Sequence, residues 1–242
     1  MTEPRSLAEA FTTELAFDKG AVPIRLRVSA RAQRVALRID GRGQAVELVL
    51  PRRTPLVSGL KFLDANRDWV EARLKDLPQR IPFADGVQVP FLGVKHRIRH
   101  VARRMPGNGP VWIEDGEIRV TGDAAHLPRR VRDFLVERAR LELTRRARAL
   151  AQRLQRRVAR VSVRDMTSRW GSCSSNGSLS FSWRLVLAPE GVIDYLVAHE
   201  VAHLSIMNHG PRFWRLVESL VPDARLRQDW LRRHRTELMR FG

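Results

Sequence analysis

Residues 194–214 read DYLVAHEVAHLSIMNHGPRFW, and the rest of the chain can be read outward from them. Within this stretch His199-Glu200-Val201-Ala202-His203 is an HExxH pattern, and His209 follows six residues after His203. On a helix, residues four apart share a face, so His199 and His203 can hold one metal ion between them. Glu200 then sits one residue further round, placed to take a proton from a water on that ion. A helix running on to His209 would carry it roughly 9 Å along the axis from His203, out of reach. The sequence supplies a stop, because Asn208 suits a left-handed turn, Gly210 is permissive and Pro211 fits the first turn of a new helix. The chain is therefore expected to turn back after about Ile206. That makes His199, His203 and His209 the metal ligands, with water in a fourth position and Zn2+ as the ion this donor set suits.

The surroundings of the motif agree with that expectation. Val192, Ile193, Leu196, Val197, Ala198, Val201, Ala202 and Leu204 cover almost the whole circumference of the helix, the pattern of a buried one. A buried helix carrying a glutamate and two histidines is costly unless a partner satisfies them. The competing reading is a core helix with two ordinary hydrogen-bonded histidines. Downstream, Phe213, Trp214, Leu216, Val217 and Leu220 predict a helix over 211–221 that holds His209 in place. A last helix starts at Pro222-Asp223, with Trp230 and Leu231 inward and Arg232, Arg233 and Arg235 outside. Upstream, short strands are expected at Val158–Val163 and Leu179–Leu187, joined by a Ser-, Gly- and Asn-rich turn over 168–177. Arg169 and Trp170 open that turn, where they either anchor a hairpin or line a cleft. Cys173 is the only cysteine, which excludes an intrachain disulfide, and a small residue in a tight turn is its simplest reading.

The run SRWGSCSSNGSLSFSWRLVLAPEGVIDYLVAHEVAHLSIMNHGPRFW, residues 168–214, resembles the YgjP-like metallopeptidases, relatives of the SprT-like zinc-dependent metalloproteases. The matching segments are Ser168–Ser174, Ser182–Leu185, Ile193–Leu204 and Met207–Trp214. Ser182 stands where that family often has Asn, and Gly210 where it often has Ser. The resemblance implies a zincin-like catalytic half in which His199, His203 and His209 bind zinc and Glu200 is catalytic. It also implies that Leu179–Leu187 offers an edge to an extended peptide or protein substrate. A metzincin fits less well, because its motif glycine falls on Ile206 and no Met-turn follows. The sequence does not single out the residue that meets a developing oxyanion; Arg169, Tyr195 and Arg212 are candidates by proximity in sequence alone, and Glu200 stands as the catalytic residue.

The N-terminal half reads as strands. IRLRVS, RVALRID and AVELVL alternate between residues 24 and 50, with turn residues at Asp40-Gly41-Arg42-Gly43. Thr54-Pro55 caps a helix expected from Leu56 to Leu77, its inner face formed by Leu60, Leu63, Trp69, Val70 and Leu74. Strand signals return at Leu92–Arg103, Val111–Glu114 and Glu117–Thr121, where His96 and His100 share a solvated strand face. Pro128 opens a long helix to about Arg157, with an apolar stripe of Phe134, Leu135, Leu141, Ala147, Leu150 and Leu154. The expectation is an α+β protein, a β-rich N-terminal half followed by a zincin-like helical catalytic half with a small sheet. It divides into a lead-in over 1–21, a β-rich region over 22–125 and a metallopeptidase region over 126–242.

Charge is the unusual bulk property. The 242 residues carry 44 Lys and Arg against 26 Asp and Glu, a formal net charge of +18. Between Arg129 and Arg160 twelve arginines face Asp133, Glu137 and Glu142. Such a chain attracts polyanions, more weakly as salt rises. A basic nucleic-acid-binding protein with a structural or vestigial zinc site is therefore the reading from a different class, and a protease acting on DNA-associated proteins combines the two. The bland explanation of the basic run is the solvated face of one helix. No apolar run reaches the roughly 18 residues of a membrane span. With no apolar leader visible at the N-terminus, a cytoplasmic setting is expected.

Overall fold

The computed structural model describes residues 12–17, 20–39, 45–75, 79–103, 107, 109–166 and 168–242. Packing divides the chain into two units, Met1–Gln79 and Arg80–Gly242.

In the first unit, β1 (Thr12–Phe17), β2 (Gly20–Ser29), β3 (Ala36–Ile39) and β4 (Val46–Pro51) form one sheet in the order β1-β2-β4-β3. Strands β2 and β4 run parallel, Leu26 beside Leu48, and the other two pairs are antiparallel. Residues 12–17, part of the expected lead-in, thus run as an edge strand. The expected turn over Asp40–Gly43 lies outside the described residues. Alternation along β4 turns Val46, Leu48 and Leu50 to one face, where Leu63, Val70 and Leu74 close over them. Gly59 permits that approach, since a Cβ there would stand 2.5 Å from the Leu50 side chain.

The single helix expected over 56–77 is broken in two, α1 (Leu56–Ala65) and α2 (Arg67–Lys75). Asn66 leaves helical geometry, and its side-chain amide donates to the Phe62 carbonyl instead. Leu63, Val70 and Leu74 form the inner face as expected, but Trp69, one residue before Val70 and so about 100° round the helix from it, is 50% exposed, and Leu60 is exposed as well. Pro55 rather than Thr54 occupies the cap.

The second unit begins with β5 (Gln88–Phe91), β6 (Val94–Val101), β7 (Val111–Glu114) and β8 (Glu117–Thr121), ordered β5-β6-β8-β7. Leu92 and Gly93 make the β5–β6 turn with φ of 52° and 84°. The long helix α3 (Leu127–Arg153) follows, then β9 (Arg160–Arg164), β10 (Gly171–Cys173) and β11 (Ser178–Ser182). Helices α4 (Glu190–Ala202), α5 (Pro211–Leu220), α6 (Ala224–Arg233) and α7 (Arg235–Met239) complete the chain.

Helix α3 buries every fourth residue, Leu127, Val131, Leu135, Ala139, Leu143, Ala147 and Ala151. Only Leu135 and Ala147 belong to the expected stripe. Leu141 lies nearly half a turn from the ridge and is 53% exposed. Val89, Ile98, Ile118 and Val120 of the second sheet share one core with this ridge and with α4. The expected boundary at 125/126 therefore falls inside the second unit. Among the described residues, no helix is long and apolar enough to cross a membrane. The architecture is α+β, strands dominating the N-terminal half and helices the C-terminal half.

The expected strand over Leu179–Leu187 ends at Ser182, and Trp183–Leu187 curl into a fully buried 3-10 turn. Arg184 within it is 1% exposed; its guanidinium pairs with the Asp165 carboxylate and donates to the Phe241 carbonyl at 3.2 and 3.0 Å. This cation is satisfied inside the core, and it fixes the turn that leads into α4.

Candidate metal centre

Helix α4 is buried on nearly all sides, by Val192, Ile193, Leu196, Val197, Val201 and Ala202 among others. It stops at Ala202 with His203 as its cap, three residues before the expected turning point. The stop uses no left-handed residue: Asn208 and Gly210 both keep negative φ. Tightened bonds close the end, from the N–H groups of Leu204, Ser205 and Ile206 to the carbonyls of Val201 and Ala202. The chain then bends at Asn208 and Gly210, and Pro211 opens α5.

This path brings the three histidines together. His203 Nε2 lies 3.2 Å from His209 Nε2, which lies 3.1 Å from His199 Nε2. Ligand atoms at about 2.0–2.1 Å from a tetrahedral zinc-sized ion stand roughly 3.3 Å apart, so the spacing fits such an ion. His203 Nδ1 lies 3.0 Å from the Ile206 carbonyl, which places the proton on Nδ1 and leaves the Nε2 lone pair facing the cluster. Phe213 stacks on His203 at 4.5 Å and meets His209 edge-on at 4.8 Å. Among the described residues, this is the one cluster of three or more His, Cys, Asp or Glu side chains able to hold a metal. His96 and His100 instead approach the Val94 and Gly122 carbonyls.

Electrostatics suits the donor set. Burial, with the neighbouring His203 and His209, lowers the His199 pKa to about 4, and burial lowers that of His203 as well. Both imidazoles are thereby kept neutral, the form that donates a lone pair. Burial pushes the Glu200 carboxyl up to about 7, offset in part by Arg169.

The small third sheet supplies the wall over Glu200. Its order is β10-β11-β9, so β11 is the central strand and has no free edge. The edge role expected of Leu179–Leu187 is thus unavailable to it; β10 and β9 are the two edge strands, and β10 is the one that lies against Glu200. Ser182 N–H donates to the Trp170 carbonyl and Ser174 N–H to the Ser178 carbonyl, at 2.8 and 3.0 Å. With Ser172 opposite Ser180, that phase turns the backbone groups of Gly171 and Cys173 away from β11. No described strand pairs with them. Gly171 lies directly against Glu200: an added Cβ would be 2.6 Å from Oε1. Its contribution was missed in the sequence, although a glycine inside a strand is itself a sign of close approach.

Two cavities flank the cluster. One of about 450 Å³ is lined by Arg169, Trp170, Tyr195, Leu231, His199 and Glu200. The other, of about 380 Å³, is lined by Arg156, Arg157, Ser174, Asn176 and His203. Trp170 is buried and also lines the first cavity, so it both anchors the hairpin and walls the cleft. Tyr195, whose ring lies 6.1 Å from that of His199, makes no hydrogen bond through its hydroxyl among the described residues. Arg212 lines neither cavity.

A family profile described as YgjP-like, metallopeptidase domain, matches residues 33–234. Among solved structures, the metallopeptidase zymogen abylysin of Pyrococcus abyssi is similar over 37% of this chain and 90% of its own. The identity is 22% and the TM-score 0.34. None of the curated proteins compared with the chain matches it.

Proposed function

The chain belongs to the YgjP-like metallopeptidase family, and from that premise we propose that it is a zinc-dependent peptidase with His199, His203 and His209 as ligands and Glu200 as general base. The observation that carries this reading is the convergence of the three Nε2 atoms, all within 4.8 Å of one another, beside a buried carboxylate. When bound, zinc supplies Lewis acidity that activates water and polarises a scissile carbonyl. Glu200 accepts the proton of the attacking water and delivers it to the leaving amine nitrogen. A carboxyl with a pKa raised to about 7 by burial is matched to both transfers near neutral pH. Tyr195, with its hydroxyl uncommitted and its pKa pushed up to about 12 by burial and by Glu200, stays protonated and is the available donor to an oxyanion. Strand β10 receives the peptide through the backbone groups of Gly171 and Cys173, a pairing largely indifferent to side chains. The single half-buried thiol of Cys173 suits a reducing cytoplasm.

The test is hydrolysis of a fluorogenic peptide library by zinc-loaded protein and by Glu200→Gln. Cleavage by the first and its loss, by 10² or more, in a variant that still holds zinc is the expected result. Full activity in Glu200→Gln sinks the mechanism.

A second reading, nucleic-acid binding with or without proteolysis of DNA-associated proteins, draws on the basic run of α3 and β9. Arg129, Arg148 and Arg153 of α3 and Arg160 of β9 make no ion pair among the described residues, whereas Arg132, Arg140, Arg145 and Arg146 are paired with acids. Retention on DNA that fades with salt supports it, and no retention at low salt removes it.

A further inference from the structure

The cavity on the Glu200 side has a chemistry of its own. Trp170, Leu196 and Leu231 give it an apolar floor, while Arg169, Arg232 and Arg235 stand at its rim. Glu200 is the only acidic residue among its lining. Arg232 also pairs with Asp229 at 3.0 Å, but both side chains are exposed, and such a pair yields readily to a better partner. The cavity adjoins β10 at Gly171, beside the edge to which a peptide would pair. An apolar floor under three guanidinium groups matches an aliphatic stem ending in a carboxylate.

We propose that this cavity is a carboxylate-binding subsite, which selects peptides presenting Glu, Asp or a terminal carboxylate to the residue it receives. The proposal rests on the peptidase reading and adds the substrate class to it.

The experiment uses zinc-loaded full-length protein and Ala/Gly-based decapeptides in which one residue, Glu, Gln or Lys, is walked through every position. A parallel set ends in a free carboxylate or an amide, which separates a side-chain source from a terminal one. The expected result is a preference of tenfold or more in kcat/KM for Glu over Lys, confined to one position relative to the cut. In Arg232→Glu the ratio at that position reverses, while ratios at the other positions stay as they were. A preference spread evenly over all positions is the general attraction of a +18 chain and overturns the subsite. If no peptide is cut although zinc is bound, the peptidase reading fails. The subsite is then judged by fluorescence anisotropy of the same peptides on Glu200→Gln. Equal affinity for the Glu and Lys peptides, and for acid and amide termini, overturns it.

Discussion

Gly171 and Glu200 are packed so closely that a Cβ on the glycine would lie 2.6 Å from Oε1, 2.7 Å from Cγ and 2.8 Å from Cδ of the carboxylate arm. The edge strand can lie over the base only because that position has no side chain. Gly171→Ala is therefore predicted to displace the carboxylate while leaving the three histidines in place. A fall of at least tenfold in kcat at unchanged zinc content is expected. Wild-type kcat in this variant contradicts the role given to the contact.

The same carboxylate makes stability depend on pH in the zinc-free protein. Burial raises its pKa from 4.5 to about 7, so its contribution is fully present below pH 4.5 and is lost as pH rises through 7. His199 acts in the opposite sense. Its pKa falls to about 4, so its contribution is present above pH 6.5 and is lost as pH falls toward 4. Comparing wild type with Glu200→Gln at each pH cancels the histidine. Urea unfolding in chelator should find the variant more stable by about 3 kcal/mol at pH 8.5 and by about 1 kcal/mol or less at pH 5. A difference that does not grow with pH rules this account out.

Arg184 and Asp165 test the scaffold apart from the site. Asp165→Ala strands a guanidinium that is 1% exposed and should cost about 3 kcal/mol in urea unfolding. Adding Arg184→Met to it should recover part of that loss, because the stranded charge is gone. Strict additivity of the two substitutions would show that the pair is not energetically coupled.

The parts of this fold legible in sequence were those set by short-range pattern. The apolar wrap of α4, the alternation along β4 and the proline opening α5 each act over a few residues, and all three are found in the structure. The three histidines could be grouped because a helix stop six residues long constrains where the chain can return. What escaped depended on partners distant in sequence. Trp69 was expected inside because it is large and apolar, but it lies about 100° round the helix from Val70, and no described partner from a distant part of the chain covers that side. The α3 ridge follows every fourth residue because it packs against α4 and also against the 3-10 turn of Trp183–Leu187, which local pattern reads as strand. The edge strand of the site was assigned to Leu179–Leu187, since strand order inside a sheet is decided by pairing. Parallel pairing with β9 places β11 in the middle and leaves β10 at the edge.

The central claim is that three histidines separated by four and six residues hold one zinc ion. Zinc per polypeptide, measured side by side in the purified wild type and in His209→Ala, tests it most directly. About one zinc in the wild type and a loss of most of it in the variant is the predicted result. A wild type that stays empty after zinc is offered, or a variant that keeps its full complement, contradicts it.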